Sequence, residues 1–266
     1  MSINAASITF PTLFVLLLVL AAGAITFFVA RMVRGPGADD APFGVIQAGA
    51  FGLIGLLLGF SFSLAVGRYD QRRAVTVKEA NAIGTTALRV QLLEQPVEQQ
   101  MWTVLREYAA ARYDFASAVA GQRDEPARRS TKLQEQMWAL AMRAAHDDPR
   151  STMTPLFIAT LNDTIDVSAE QAAALNATIP AQVLNVLVLV MLLAASLLGA
   201  HFGRTGRFEI IPFTAFALML ALTYAVILDL DQPQRGFIKV PLDPLSSVKA
   251  QLSGPIPSPT APPITR

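Results

Sequence analysis

One stretch constrains the fold more than any other: Phe51 to Gly84, FGLIGLLLGFSFSLAVGRYDQRRAVTVKEANAIG. Its first half is apolar enough for lipid and its second half is charged enough for water. No proline interrupts it, and its only breakers are glycines, which membrane helices tolerate. The stretch therefore reads as one helix that crosses a bilayer and continues past the headgroups. Gly52, Gly55, Gly59, Ser63 and Gly67 recur at spacings of three or four. That spacing lays a smooth stripe down one face, where a second helix backbone can approach closely. Leu56, Phe60 and Leu64, four apart, stand beside it as bulky apolar teeth.

The rest of the chain supplies the setting for a membrane helix. Only 15% of the residues are charged and 53% are hydrophobic, whereas soluble domains carry about a quarter charged residues. Ile8 to Ala30 is a run of 23 residues without a charge, and about 20 apolar helical residues cross a bilayer core. The start MSINAAS has no basic residue, so this run reads as a permanent span and not as a cleaved signal. Glycines and prolines between residues 35 and 42 make a short turn, and residues 43–67 return as an antiparallel second span. Pro180 to Phe202 and Ile210 to Leu228 are the third and fourth spans.

Between spans two and three, residues 68–179 contain no run that could cross a bilayer. Trp102, Leu105, Tyr108, Ala109, Arg112 and Tyr113 follow helical spacing. Breaks at Pro96, GQRDEP and DDPR divide the region into helices over 71–93, 97–120, 130–145 and 155–177. Ser130 is the expected N-cap of the third of these, and Ser151 or Thr154 with Pro155 opens the fourth. Trp102, Trp138 and Phe157 read as core positions of the bundle. The expected architecture is an all-α membrane protein: a first hairpin over 1–67, a helical bundle over 68–179, a second hairpin over 180–230 and a tail over 231–266. The Pro-, Ser- and Thr-rich end of the tail is expected to be disordered.

Orientation follows the basic residues beside the spans. Arg68, Arg72, Arg73, Lys78, Arg235 and Lys239 lie on one side; Arg31, Arg34, Arg204 and Arg207 lie on the other. This bias places both termini and the middle bundle in the cytoplasm, and the composition fits a bacterial plasma membrane.

Several function classes fall away. A net charge of +1 gives no field to attract nucleic acid. With no Cys and only His146 and His201, there is no thiolate nucleophile and no histidine-rich metal centre. Gly-x-Ser-x-Gly, GxGxxG and the phosphate-loop pattern are absent, so an enzyme is not expected. His146 reads as solvated and His201 as interfacial. Arg123, Arg128 and Arg129 read as a solvated helix face. Lys78, Glu79 and Asn81 fit either a functional group or an inter-helix polar network. Asp229 and Asp231, with Pro233 and Gly236, form an acidic turn where the fourth span ends. Such a pair is hydrated, salt-bridged or bound to a cation; a capping turn with Arg68, Arg72 or Arg235 as partner is the simpler reading.

The run GFSFSLAVGRYDQRR, with KEANAIGTTALR after it and DLDQPQRGFIKV after the last span, resembles the bestrophin-like family of bacterial membrane proteins. Its Leu-Gly-Phe start and its Tyr69-Asp70-Gln71-Arg72 end are similar, more distantly, to the second membrane helix of bestrophin ion channels. The resemblance implies a pentamer in which this helix lines a pore for small ions, anions in the animal members and cations in some bacterial ones. It implies a hydrophobic neck at Gly52, Leu56 and Phe60. Phe60 matches in type, Leu56 is similar, and Gly52 departs, leaving the outer ring wide unless Phe51 or Leu53 turns in. Gly55, Gly59, Ser63 and Gly67 would seat neighbouring helices, and Arg68, Tyr69, Asp70 and Arg72 would form the cytoplasmic end of the pore helix. The resemblance also implies an acidic calcium clasp at Asp229, Asp231, Pro233 and Gly236, but the family's dense acidic run is missing here, which argues against calcium control. No other cofactor is implied. The alternative to a channel is a non-conducting scaffold or sensor whose middle helices bind a partner.

Overall fold

The computed structural model describes residues 3–33 and 41–256. The described residues form eight helices and no strand: α1 (Ile3–Val33), α2 (Ala41–Val90), α3 (Val97–Ser117), α4 (Asp124–Asp147), α5 (Thr154–Asn176), α6 (Ala181–Thr205), α7 (Ile210–Asp231) and α8 (Asp243–Leu252). Four of them, α1, α2, α6 and α7, contain an apolar run long enough to cross a membrane. Residues 35–40 of the expected turn and most of the proline-rich tail, residues 257–266, lie outside the described residues, and Ala41 and Pro42, expected in that turn, belong to α2.

The chain divides into two compact units, one of residues 1–69 and 178–239 and the other of residues 70–177 and 240–266. In the first unit, α1, α6 and α7 pack together through small residues. Dispersion and close backbone approach, and not hydrophobic transfer, hold helices together in lipid. Gly23, Gly199 and Gly203 provide that approach. A side-chain carbon added at Gly199 would overlap the carbonyl oxygen of Gly23, and one at Gly203 would overlap that of Phe27. One at Gly23 would overlap the ring of Phe213 on α7. Ala194 and Ala195 complete the seam on α6, fully buried. Helix α2 joins this unit differently. Ile54, Leu58 and Ala65 bury their side chains in the shared core, and Ser61 lies on the same face, a spacing of three and four that keeps one face inward.

The second unit is a helical bundle with an aliphatic and aromatic core. Ile83 of α2, Met101, Leu105 and Tyr108 of α3, Met137 of α4, Phe157 and Leu161 of α5 and Leu245 of α8 are all sealed from solvent. A polar seam runs through it. Glu79 is fully buried and receives a hydrogen bond from Nε of Arg112. Arg112 also donates to the Ser168 carbonyl at 3.2 Å and to Oε1 of Gln171 at 2.8 Å, and its guanidinium lies 4.6 Å from the Phe115 ring centre. Further along, the Thr86 and Thr164 hydroxyls meet at 2.7 Å. The network ties α2, α3 and α5 together and favours one register between them, although Oε2 of Glu79 has no hydrogen-bond partner among the described residues.

The structure corrects several expectations. Helix α4 begins at Asp124, six residues before the expected start, with Asp124 and Glu125 in its first turn, where carboxylates favour the helix dipole. Ser130 is therefore interior and not an N-cap; its hydroxyl donates to the Pro126 carbonyl at 2.8 Å. Ser151 does serve the start of α5, accepting from the Thr154 amide at 3.1 Å. Trp138 is half exposed, unlike Trp102 and Phe157, because α4 turns that edge outward. Arg123 is not solvated. It is buried and donates to the Ala118 and Leu175 carbonyls, at 3.2 and 3.0 Å, and to Oδ1 of Asn176 at 3.2 Å. Burial, and secondarily the charge of Arg72, lower its pKa from the usual arginine value. The stretch over 231–266, read as a tail, contains α8, which Pro244 opens at its first turn.

Candidate functional site

Helix α2 is packed on one face only. Within the first unit the inward line is Ile54, Leu58, Ser61 and Ala65. The opposite line carries Gly52, Leu56, Ser63 and Gly67, flanked by Phe60, Gly59 and Gly55, and all seven are exposed. The two large apolar members are prominently so: Leu56 is 53% exposed and Phe60 66%. No atom of another helix lies within 4 Å of the position a Cβ would take at Gly52, Gly55, Gly59 or Gly67. The face that the sequence marks with small seats and large teeth is thus not used by the chain's own helices.

The residues that follow separate by face. Arg68 is half-buried, with Nε enclosed and unbonded among the described residues, and Tyr69 packs against the core of the first unit. Asp70 is exposed. Arg72 points the other way: it is 1% exposed and donates to the Ala174 carbonyl at 3.2 Å and the Ala177 carbonyl at 2.5 Å. Those are terminal carbonyls of α5, which lack helical partners, and a cation there also complements the helix dipole. Arg72 therefore anchors α2 to α5, whereas Asp70 stays on the open side. Lys78 pairs with Glu170 at 2.6 Å in the exposed rim of the second unit, and Asn81 borders a groove of about 520 Å³ between α2, α3 and α8. The three neighbours Lys78, Glu79 and Asn81 thus have three different roles, and only Glu79 belongs to the buried network. Within that network the Tyr108 phenol is pushed above its ordinary pKa by burial.

A shallow apolar groove of about 250 Å³ opens beside α2 in the first unit, lined by Leu57, Ser61, Gln182, Val183, Val186 and Leu187. His201 stacks on Phe43, with ring centres 6.4 Å apart, and Arg204 lies 5.1 Å from the same ring centre. His146 is exposed.

The acidic turn is a loop anchor. Asp229 accepts the amides of Phe237 and Ile238, each at 2.9 Å and one on each carboxylate oxygen. Asp231 accepts the Ile179 amide at 2.8 Å. Gly236 has φ +92°, and a side chain there would strike both Asp229 and Ile8. Pro233 is buried beneath the loop. No cluster of three or more acidic or histidine side chains occurs among the described residues.

Sequence reasoning missed the glycine seam of α1 and α6, although Gly199 and Gly203, four apart, carry a small-x-x-x-small signal. It also missed the pairing of Glu79 with Arg112. The available signal was position: Glu79 lies on the helical line of Arg72, Thr76, Ile83 and Thr86, all of which are buried.

Comparison with known proteins agrees with this architecture. No curated protein matches the chain. Two crystal structures of a bacterial Bestrophin homolog from Klebsiella pneumoniae, each carrying one substitution, share its fold. They are 15% and 14% identical, with TM-scores of 0.67 and 0.68, and in each case 91% of this chain and 97% of the other are covered. A third crystal structure, described only as a membrane protein, superposes with a TM-score of 0.67 at 14% identity, over 90% of this chain and 97% of that one. At these identities the likeness concerns the fold. The Bestrophin-like domain profile matches residues 12–245, from the first apolar helix to the start of α8. With four membrane-length helices in the described residues and a family match over most of its length, the chain is a membrane protein that belongs to the Bestrophin-like family.

Proposed function

We propose that the chain is one subunit of an oligomeric ion channel whose conduction path is lined by the open face of α2. The observation that supports this reading is the exposure of Leu56 and Phe60 on a helix whose opposite face is packed into its own subunit. An exposed phenylalanine in a membrane-spanning segment faces lipid, a neighbouring subunit or a water path. The glycines beside it favour a neighbouring backbone, and several copies around an axis would ring the path with Leu56 and Phe60. Such a ring is a hydrophobic constriction, which controls ion passage by dewetting. Gly52 leaves the next ring wide. By resemblance the assembly is a pentamer. The basic residues after spans two and four favour both termini on the cytoplasmic side, and the composition fits a bacterial plasma membrane.

The test is reconstitution of the purified protein in planar bilayers, with the mass of the intact assembly measured in parallel. Phe60→Ala removes the bulkiest member of the constriction and is expected to raise conductance or weaken gating. Currents that are identical in wild type and Phe60→Ala, from protein of the same assembled mass, contradict the reading. A monomer or dimer by mass favours a scaffold or sensor instead.

A further inference from the structure

The loop after α7 is built more firmly than a connection needs, and it presents its one bulky apolar side chain to the outside. Phe237 is 80% exposed. Its own amide and the next one are both held by the Asp229 carboxylate, one on each oxygen. The preceding Gly236 takes the left-handed conformation that only glycine adopts without strain. Ile238 turns inward and packs against the core of the first unit. Phe237 is therefore the residue this geometry displays. A single exposed phenylalanine on a mobile loop would need no explanation; one fixed by a carboxylate, a glycine turn and an inward neighbour is positioned.

Two further observations say what it faces. Gly236 lies against Ile8, where the apolar membrane-length run of α1 begins, while the loop itself follows directly from the end of α7 at Asp231. The loop therefore sits at the level where two apolar spans meet water. Phe237 is also flanked by basic residues, Arg235 and Lys239, neither of which forms an ion pair among the described residues. An aromatic side chain between cations at the membrane boundary suits the interface itself: the ring enters the upper acyl region, and the cations reach lipid phosphates.

We propose that the loop of residues 232–239 is a bilayer-interface anchor, in which Phe237 inserts at the headgroup boundary and Arg235 and Lys239 engage anionic phospholipid headgroups. Asp229 and Gly236 act as positioning residues that hold the loop in its displayed form. The proposal concerns lipid contact and stands whether or not the protein conducts ions.

Because the chain contains no Cys, a single introduced thiol reports alone. Phe237→Cys, Leu189→Cys and Thr131→Cys, each spin-labelled, are reconstituted in vesicles of phosphatidylcholine with phosphatidylglycerol. The label at 189 marks the apolar span and the label at 131 marks water. Accessibility to oxygen relative to a water-soluble nickel chelate is expected to be several times higher at 237 than at 131, and lower than at 189. In phosphatidylcholine alone the label at 237 is expected to move toward water, and adding inorganic phosphate is expected not to restore it. The same shift is expected in mixed vesicles when Arg235→Gln and Lys239→Gln are combined. A label at 237 as exposed to the chelate as the label at 131 overturns the proposal. So does a label shielded from both reagents, which would place Phe237 against protein. Depth that is independent of lipid charge overturns the headgroup assignment.

Discussion

The first unit contains two sets of glycines on apolar helices, and they are used in opposite ways. Gly23, Gly199 and Gly203 are filled: backbone or a ring of another helix occupies the space where their side chains would be. Gly52, Gly55, Gly59 and Gly67 are open, with nothing near enough to touch a Cβ. Both sets look alike in the sequence. The filled set explains how α1, α6 and α7 hold together without hydrophobic transfer to drive them. The open set explains nothing about the subunit, so its purpose is sought outside the subunit. That difference is the physical ground for reading α2 as a surface for assembly and conduction.

Substitutions separate the two sets of glycines. The largest effect is expected at the filled seam, where Gly199→Val drives a branched side chain into main chain that no rotamer change relieves. Loss of monodisperse protein in size-exclusion chromatography is the expected result, and a normal elution profile would dissolve the distinction. Next comes the other half of α2, which is packed through charge. Arg112→Ala leaves Glu79 buried without its cation and is expected to cost about 3–5 kcal/mol, read as a lowered midpoint of thermal unfolding in detergent. Gly203→Ala, a smaller intrusion on the seam, is expected to cost about 1–3 kcal/mol by the same measurement. Gly59→Ala comes last. It is expected to leave the subunit unharmed or to stabilise its helix by about 0.5–1 kcal/mol, while changing the assembled mass or the current. If Gly59→Ala destabilised the subunit as much as Gly203→Ala, the open stripe would be an ordinary packing surface.

Much of the fold is legible in the sequence because lipid imposes a severe rule: long uncharged runs become helices, and their order fixes the hairpins. Helix α2 is one continuous element because no proline lies between Pro42 and Pro96. The bundle is less legible. Asp124-Glu125-Pro126 reads as a turn in isolation, yet acids and an early proline also suit a first helical turn, and packing of α4 decides for the helix. Arg123 looks like one of three surface cations until the free carbonyls at the end of α5 come within its reach. Helix α8 hides behind two prolines. The pairing of Glu79 with Arg112 spans 33 positions, and no local pattern announces a partner that distant. At the candidate site, spacing identifies the face that Leu56 and Phe60 share. It cannot tell an open stripe from a filled one, because that depends on where α1, α6 and α7 go.

On the proposed reading, the open face of α2 meets a water path and the packed face does not. Cysteine substitution tests it directly in the naturally Cys-less chain. Leu56→Cys, Phe60→Cys and Leu58→Cys are reconstituted in bilayers and treated with a charged, membrane-impermeant thiosulfonate while current is recorded. Modification is expected to change the current at positions 56 and 60 and to leave position 58 unaffected. Current altered at 58 but unaltered at 56 and 60 would contradict the account.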